Sequence, residues 1–371
     1  MIYLDNNATT KPSSAAITAM QIYLHECYFN ASTSTAELTG ANRPYDDAAA
    51  AMTFLLEAED PTCFTFTSGA TESNNWIFSN FSDSSHGRIV ISTIEHPSVS
   101  DSASQAATCG KEVVNLPVDG QGIILLADLA NLLTPNTQLV SIMAANNETG
   151  ALQPIHEIGQ LVRKLSPMAL FHTDATQAVG KIAINLQEDW SDVDLLSFSA
   201  HKFHGPKGIG GLYCRPGIEL KPLILGGGQQ KGLRSGTMNT PALAGLAAAV
   251  QSLNLLAASK IEALRDYFEQ HLAQALPVTM HSVNTERLPN TSCFSIAGTS
   301  GEYLAQELAL AGIIVGTGSA CSSGSLHPPK TLLAMGIEYG VAQSALRVSL
   351  SSLTTIEEID MLLNQLIHIN K

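Results

Sequence analysis

Five short runs carry side chains that could do chemistry. Val193–Ser199 is apolar and leads through Ser199-Ala200-His201 to a single lysine, Lys202. A lysine after a strand is commonly just a surface residue, but one fixed at a sheet edge can form a Schiff base with an aldehyde cofactor. The turn cluster that follows, His204-Gly205-Pro206-Lys207-Gly208-Ile209-Gly210-Gly211, leads into another strand. Leu170–Asp174 ends on a carboxylate and continues as Ala175-Thr176-Gln177. Asp174 could cap the next element or pair with a protonated ring nitrogen in an electron-sink cofactor. Phe66-Thr67-Ser68-Gly69-Ala70-Thr71-Glu72 reads as strand, small-residue turn and helix start. Such a turn either only caps the helix or offers its free amides to a phosphate; it is neither a Walker loop nor a dinucleotide fingerprint. His96, in Thr93-Ile94-Glu95-His96-Pro97-Ser98, sits between a strand and a helix, as a structural residue or as one that stacks on a ring and moves protons near neutrality. Finally, Val315–Ser325 is small, polar and Gly-rich around Cys321, which suits an exposed thiol. The other five cysteines read as small core hydrophobes.

The elements that must position these residues alternate. Strands are expected at Cys63–Thr67, Arg88–Thr93, Glu112–Val118, Gln138–Ala145, Leu170–Asp174 and Val193–Ser199. Helical spacing fills Glu72–Phe81, Ser98–Cys109 and Pro154–Leu165. This pattern predicts an α/β fold whose mostly parallel sheet is covered by helices on both faces, with ligands gathered beyond the carboxyl ends of the strands. After Gly226-Gly227-Gly228, helical segments run from Pro241 to Leu276, a mixed region begins near Val278, and a Thr-capped helix occupies Thr355–Ile369. The expected division is a large α/β domain over 13–250 and a smaller α+β domain over 1–12 and 251–371, the latter carrying the Cys321 loop.

The 371 residues carry 33 acidic against 19 basic side chains, a net charge of −14. Phosphate contacts need cations, so nucleic-acid binding is not expected. No window reaches the roughly 18 uninterrupted apolar residues of a membrane span, and no cationic-then-apolar leader opens the chain. The cysteines form no C-x-x-C pair, which argues against a disulfide framework and a zinc site; a cytoplasmic setting is expected.

Taken together, the motifs resemble the cysteine desulfurases, in the class V aminotransferase group of fold-type I pyridoxal-phosphate enzymes. The resemblance runs from Tyr3-Leu4-Asp5-Asn6-Asn7-Ala8-Thr9-Thr10 to Ser344-Ala345-Leu346-Arg347-Val348-Ser349-Leu350. Ser-Ala-His-Lys with Gly-Pro-Lys-Gly marks the group, and Gly-Ser-Ala-Cys-Ser-Ser-Gly-Ser-Leu around Cys321 marks the desulfurase branch with the longer cysteine loop. It implies pyridoxal 5'-phosphate bound to Lys202, with Asp174 on the ring nitrogen, Gln177 on the ring hydroxyl and His96 stacked on the ring. Ala70, Thr71, Ser199 and His201 would hold the phosphate. Thr237 would reach the phosphate of a neighbouring subunit, implying a homodimer. Asn147 and Arg347 would bind the carboxylate of L-cysteine, a planar anion that suits a guanidinium fork. The implied reaction removes sulfur from L-cysteine, gives L-alanine, and leaves a persulfide on Cys321 for a sulfur-acceptor protein. His96 would manage the thiol and enamine protons, alongside Lys202 as the base.

Selenocysteine lyase and other lyase or aminotransferase chemistry on the same fold are the alternatives; the last two would not need a thiol on a loop. A non-catalytic binding protein would be expected to lose Lys202, Asp174 or Cys321. Against the family's usual pattern, Lys11 stands for a Pro, Asn30-Ala31-Ser32 for Asn-Pro-Ser, Thr35 near a usual His, and Gln230 for Glu. These departures touch loops and dimer contacts, and none removes a catalytic group.

Overall fold

The computed structural model describes residues 1–82, 86–317 and 328–370. After a short β1 (Ile2–Tyr3), seven strands build one sheet: β2 (Phe64–Thr67), β3 (Arg88–Ser92), β4 (Glu112–Leu116), β5 (Thr137–Ser141), β6 (Leu170–Asp174), β7 (Leu195–Ser199) and β8 (Gly210–Cys214). Their order is β2-β8-β7-β6-β5-β3-β4; β8 runs antiparallel to both neighbours and the remaining pairs are parallel. Covering both faces with helices requires apolar strands. β7, Leu-Leu-Ser-Phe-Ser, is buried at every position, whereas the edge strand β4 is not. The helix Ile155–Leu165 buries Ile155, Ile158, Gly159 and Val162, the one-sided spacing of a helix lying on a sheet.

Several expected bounds shift: the strand expected over Glu112–Val118 ends at Leu116, and that expected from Val193 begins at Leu195. The strand expected to reach Ala145 ends at Ser141. Beyond it the chain still donates from Ile142 N–H to His172 and from Ala144 N–H to Asp174. It then turns because Asn146 Oδ1 accepts from the amides of Glu148 and Thr149. The helix expected from Glu72 starts at Ala70, with Gly69 as its cap. The helical segments expected from Pro241 to Leu276 are Thr240–Gln251 and Ala258–Ala275, parted where Asn254 caps a 3₁₀ turn at Leu255–Ala257.

Downstream lie β9 (Val278–Met280), β10 (Thr291–Ile296), β11 (Ile313–Ile314), β12 (Gly316–Thr317) and β13 (Ala345–Ser349). An antiparallel sheet has the order β12-β13-β10-β9, while β11 pairs in parallel with β1. Phe268, Leu272, Phe294, Leu304, Leu346 and Leu362 form its core, and Ile2 and Leu4 join them. Burying each such side chain contributes about 1.5–3 kcal/mol. The amino-terminal residues are thereby anchored on this second core, and Asp5 to Ala8 are led across to the main sheet. The closing helix, Ile356–Ile369, begins with a capping box between Thr355 and Glu358.

Candidate active site

A cavity of about 280 Å³ opens at the carboxyl ends of the parallel strands, where Lys202, Asp174, His96 and Arg347 meet. Asp174 ends β6 and is buried. Its Oδ2 accepts from Asn74 Nδ2 at 2.8 Å and its Oδ1 from the Thr176 amide at 3.0 Å. Two donors fix the orientation of a carboxylate that lines the cavity, where it can pair with a protonated ring nitrogen.

Lys202 closes the 3₁₀ turn Ala200–Lys202 directly after β7. Its Nζ donates to the carbonyls of Asn7 at 2.6 Å and Ala8 at 2.9 Å. Backbone oxygens therefore aim the amine. Across the cavity, Ser199 Oγ accepts from the Ala70 amide at 2.8 Å, joining the end of β7 to the amino end of the helix Ala70–Ser79. The amides and hydroxyls of a helix's amino end suit a phosphate. Burial, then Lys202, Lys207 and Lys181, push His201 down to about 4. At neutral pH it therefore offers a phosphate an N–H and no charge.

His96 caps the helix Pro97–Thr108, its Nδ1 accepting from the Ser98 amide at 3.1 Å. Burial lowers its pKa, partly opposed by Asp174. With Nδ1 accepting, the proton of the neutral ring sits on Nε2.

Arg347, on β13, donates from Nη1 to the Asn147 carbonyl at 2.9 Å and from Nη2 to Asp5 Oδ1 at 2.6 Å. Gly316 of β12 makes this packing possible: a Cβ there would stand 2.6 Å from Asp5 Oδ1 and 2.7 Å from Arg347 Nη2. Asp5 lets the guanidinium be buried, since a buried charge without a partner is costly. Asn7 ties the two cores together, donating from Nδ2 to Thr291 Oγ1 at 2.9 Å and to the Asn147 carbonyl at 3.2 Å.

Among the described residues, Thr176 Oγ1 and Arg347 Nε are buried without a hydrogen-bond partner, and both residues line the cavity. Orphaned polar atoms around the Asp174 carboxyl group and an aimed lysine fit a polar, anionic, ring-bearing group such as pyridoxal phosphate. A second cavity of about 440 Å³ lies behind Asn6 and shares Lys202, but Asp174, His96 and Arg347 do not line it. The smaller cavity is the one with convergent chemistry.

Lys202, Asp174, Gln177, His96, Ala70, Thr71, Ser199, His201, Asn147 and Arg347 all line that smaller cavity. Thr237 does not; it is exposed, on a segment tied to the Ala70 loop by the Arg234–Glu72 pair at 2.8 Å. Cys321 lies outside the described residues. Sequence reasoning assigned no role to Asp5, Asn7 or Asn74. Asp5 and Asn7 sat in the quoted opening motif, whereas Asn74 had only its place one turn into a helix that begins at the phosphate loop.

The aminotransferase class-V family model matches residues 2–362 of the chain. Cysteine desulfurase 2 of Trichormus variabilis is 41% identical over 368 residues, covering 98% of this chain and 91% of that protein. A solved NifS-like protein superposes with a TM-score of 0.92 at 36% identity, covering 100% of this chain and 99% of that one. SspA in complex with cysteine superposes with a TM-score of 0.84 at 30% identity, covering 96% of this chain and all of that one (100%).

Proposed function

The chain belongs to the aminotransferase class-V family, in its cysteine desulfurase branch, and from that premise we propose how its residues carry out the reaction. It is a pyridoxal-phosphate enzyme that takes sulfur from L-cysteine and leaves L-alanine. One observation carries the assignment of residues: Lys202, Asp174 and the Arg347–Asn147 pair face a single cavity. SspA, similar in fold and bound to cysteine, supports the choice of substrate.

Ala70, Thr71, Ser199 and His201 hold the cofactor phosphate, and Asp174 keeps the ring nitrogen protonated. Bound here, pyridoxal phosphate supplies an electron sink for the bond broken at the substrate α-carbon. Arg347 and Asn147 receive the substrate carboxylate and set the amino acid's orientation. Lys202 Nζ accepts the α-proton and returns it to the α-carbon as alanine forms. His96 holds a proton on Nε2 for the carbon that becomes the alanine methyl group. The Cys321 thiolate attacks the substrate Sγ: an S–S bond forms and the C–S bond breaks. The electron pair stays on carbon, which takes up a proton. A persulfide remains on Cys321 and passes to a thiol of a sulfur-acceptor protein.

The homodimer, with Thr237 reaching the neighbouring phosphate, belongs to the same proposal; the exposure of Thr237 supports it. So does the division into domains 13–250 and 1–12 with 251–371, which the two hydrophobic cores support. A reducing, cytoplasmic setting completes it, supported by five free cysteines among the described residues. The test is the mass of the Cys321 peptide after holoenzyme meets L-cysteine without reductant. A gain of one sulfur atom on that peptide is expected, and a gain on another cysteine, or none, rejects the assignment.

A further inference from the structure

Lys181 has no part in the reaction described so far. It lies four residues beyond Gln177 in the turn after β6, and its Nζ donates to Gln177 Oε1 at 2.5 Å and Asn7 Oδ1 at 3.1 Å. Gln177 in turn donates from Nε2 to the Asn7 carbonyl at 2.9 Å, the same carbonyl that aims Lys202. An amide side chain has one accepting and one donating end, and its partners decide which way it faces. An amine on one side and a carbonyl on the other require the same orientation, oxygen toward Lys181 and nitrogen toward Asn7. Nε2 keeps a second N–H, and Gln177 lines the cavity with Asp174 and Lys202. Gly180 lets this turn close on the lysine turn. Its φ is +78°, and a Cβ there would come within 2.6 Å of Cβ of Phe203, the neighbour of Lys202.

We propose that Lys181 is a positioning residue that locks the Gln177 amide so that an N–H is presented to the ring oxygen of bound pyridoxal phosphate. The inference rests on the assignment of Gln177 to that oxygen. A donor that stabilises the ring oxygen as an anion lowers the proton affinity of the nitrogen joining the cofactor to Lys202. Burial, then the charges of Lys202 and Arg347, push the Lys181 amine well below its usual range. Donation to two oxygens needs only N–H bonds, which an amine has in either charge state. The titratable and charged groups around this corner are Lys202 and His201 after β7, His96 after β3, Asp174 on β6 and Arg347 on β13.

The experiment reads the pH midpoint of the holoenzyme's cofactor absorbance, and the pyridoxal-phosphate dissociation constant of the apo protein. The variants are Lys181→Met, Gln177→Leu and the two combined. Each single variant should raise the midpoint by about half to one pH unit and weaken binding severalfold. The double variant should go no higher than Gln177→Leu alone, because Lys181 acts through Gln177. A Lys181→Met midpoint at the wild-type value, or additive shifts, overturns the role of Lys181 while Gln177 keeps its place. A Gln177→Leu midpoint at the wild-type value overturns the Gln177 assignment and the inference with it. Should Lys181→Met not fold, Lys181→Arg reads the same point: its donors should hold the midpoint, and a shift as large as that of Gln177→Leu overturns the proposal.

Discussion

Asp174 is held by two donors, and one of them, Asn74 Nδ2, comes from a side chain with no other visible duty at the cofactor. A hydrogen bond to a charged group contributes about 1.5–3 kcal/mol. Asn74→Ala is therefore expected to weaken pyridoxal-phosphate binding about tenfold, read by titration of the apo protein; unchanged affinity would contradict the role. His96 gives a pH prediction with a definite sign. Burial depresses its pKa below 6.5, so the neutral ring persists into acid. The acid limb of kcat/KM that disappears in His96→Gln should lie below pH 6.5, and a limb above that value would contradict the burial argument. Lys202, Asp174 and His96 are visible in the sequence as candidates because each follows an apolar run, while their roles at the cofactor come from the resemblance. The Arg347–Asp5 pair is not visible, since 342 residues separate its members and no local pattern links them.

The small sheet delivers Arg347 to the cavity, and β12 delivers the chain to the segment that carries Cys321. Both depend on Gly316. Gly316→Ala puts a methyl group against Asp5 and Arg347, so it is expected to raise KM for cysteine about tenfold while changing kcat less; steady-state kinetics decides it, and an unchanged KM would contradict the packing. Gln230 is instructive as a departure from the family pattern. Its amide donates to the Phe66 carbonyl at 2.8 Å and accepts from the Phe66 amide at 2.7 Å, bracketing β2 just ahead of the phosphate loop. An ionised Glu accepts only, so Gln230 satisfies both backbone groups where Glu would satisfy one.

Over the whole molecule, titratable groups are buried in opposite senses. His96, His172, His201 and His281 are all pushed below 6.5, chiefly by burial. In the unfolded chain they take up protons below about pH 6.5, so they favour unfolding as pH falls toward their folded values. Glu95 and Glu148 are raised by burial to about 8 and about 7, so they retain protons that the unfolded chain releases above about pH 4.5. Four histidines oppose two carboxyls between pH 6.5 and 4.5, each proton difference changing stability by about 1.4 kcal/mol per pH unit. The apo protein should therefore melt at a lower temperature at pH 4.5 than at pH 6.5, and a flat profile would contradict the burial of these histidines. The two cores meet at Asn7, where the aimed lysine and the carboxylate clamp share hydrogen bonds, and the proposed sulfur chemistry uses the Cys321 thiol. The most direct measurement is L-cysteine-dependent alanine release by holoenzyme, wild type against Cys321→Ala. The variant is expected to keep its cofactor absorbance and lose alanine production. Equal alanine from both proteins would contradict this and remove Cys321 from the reaction.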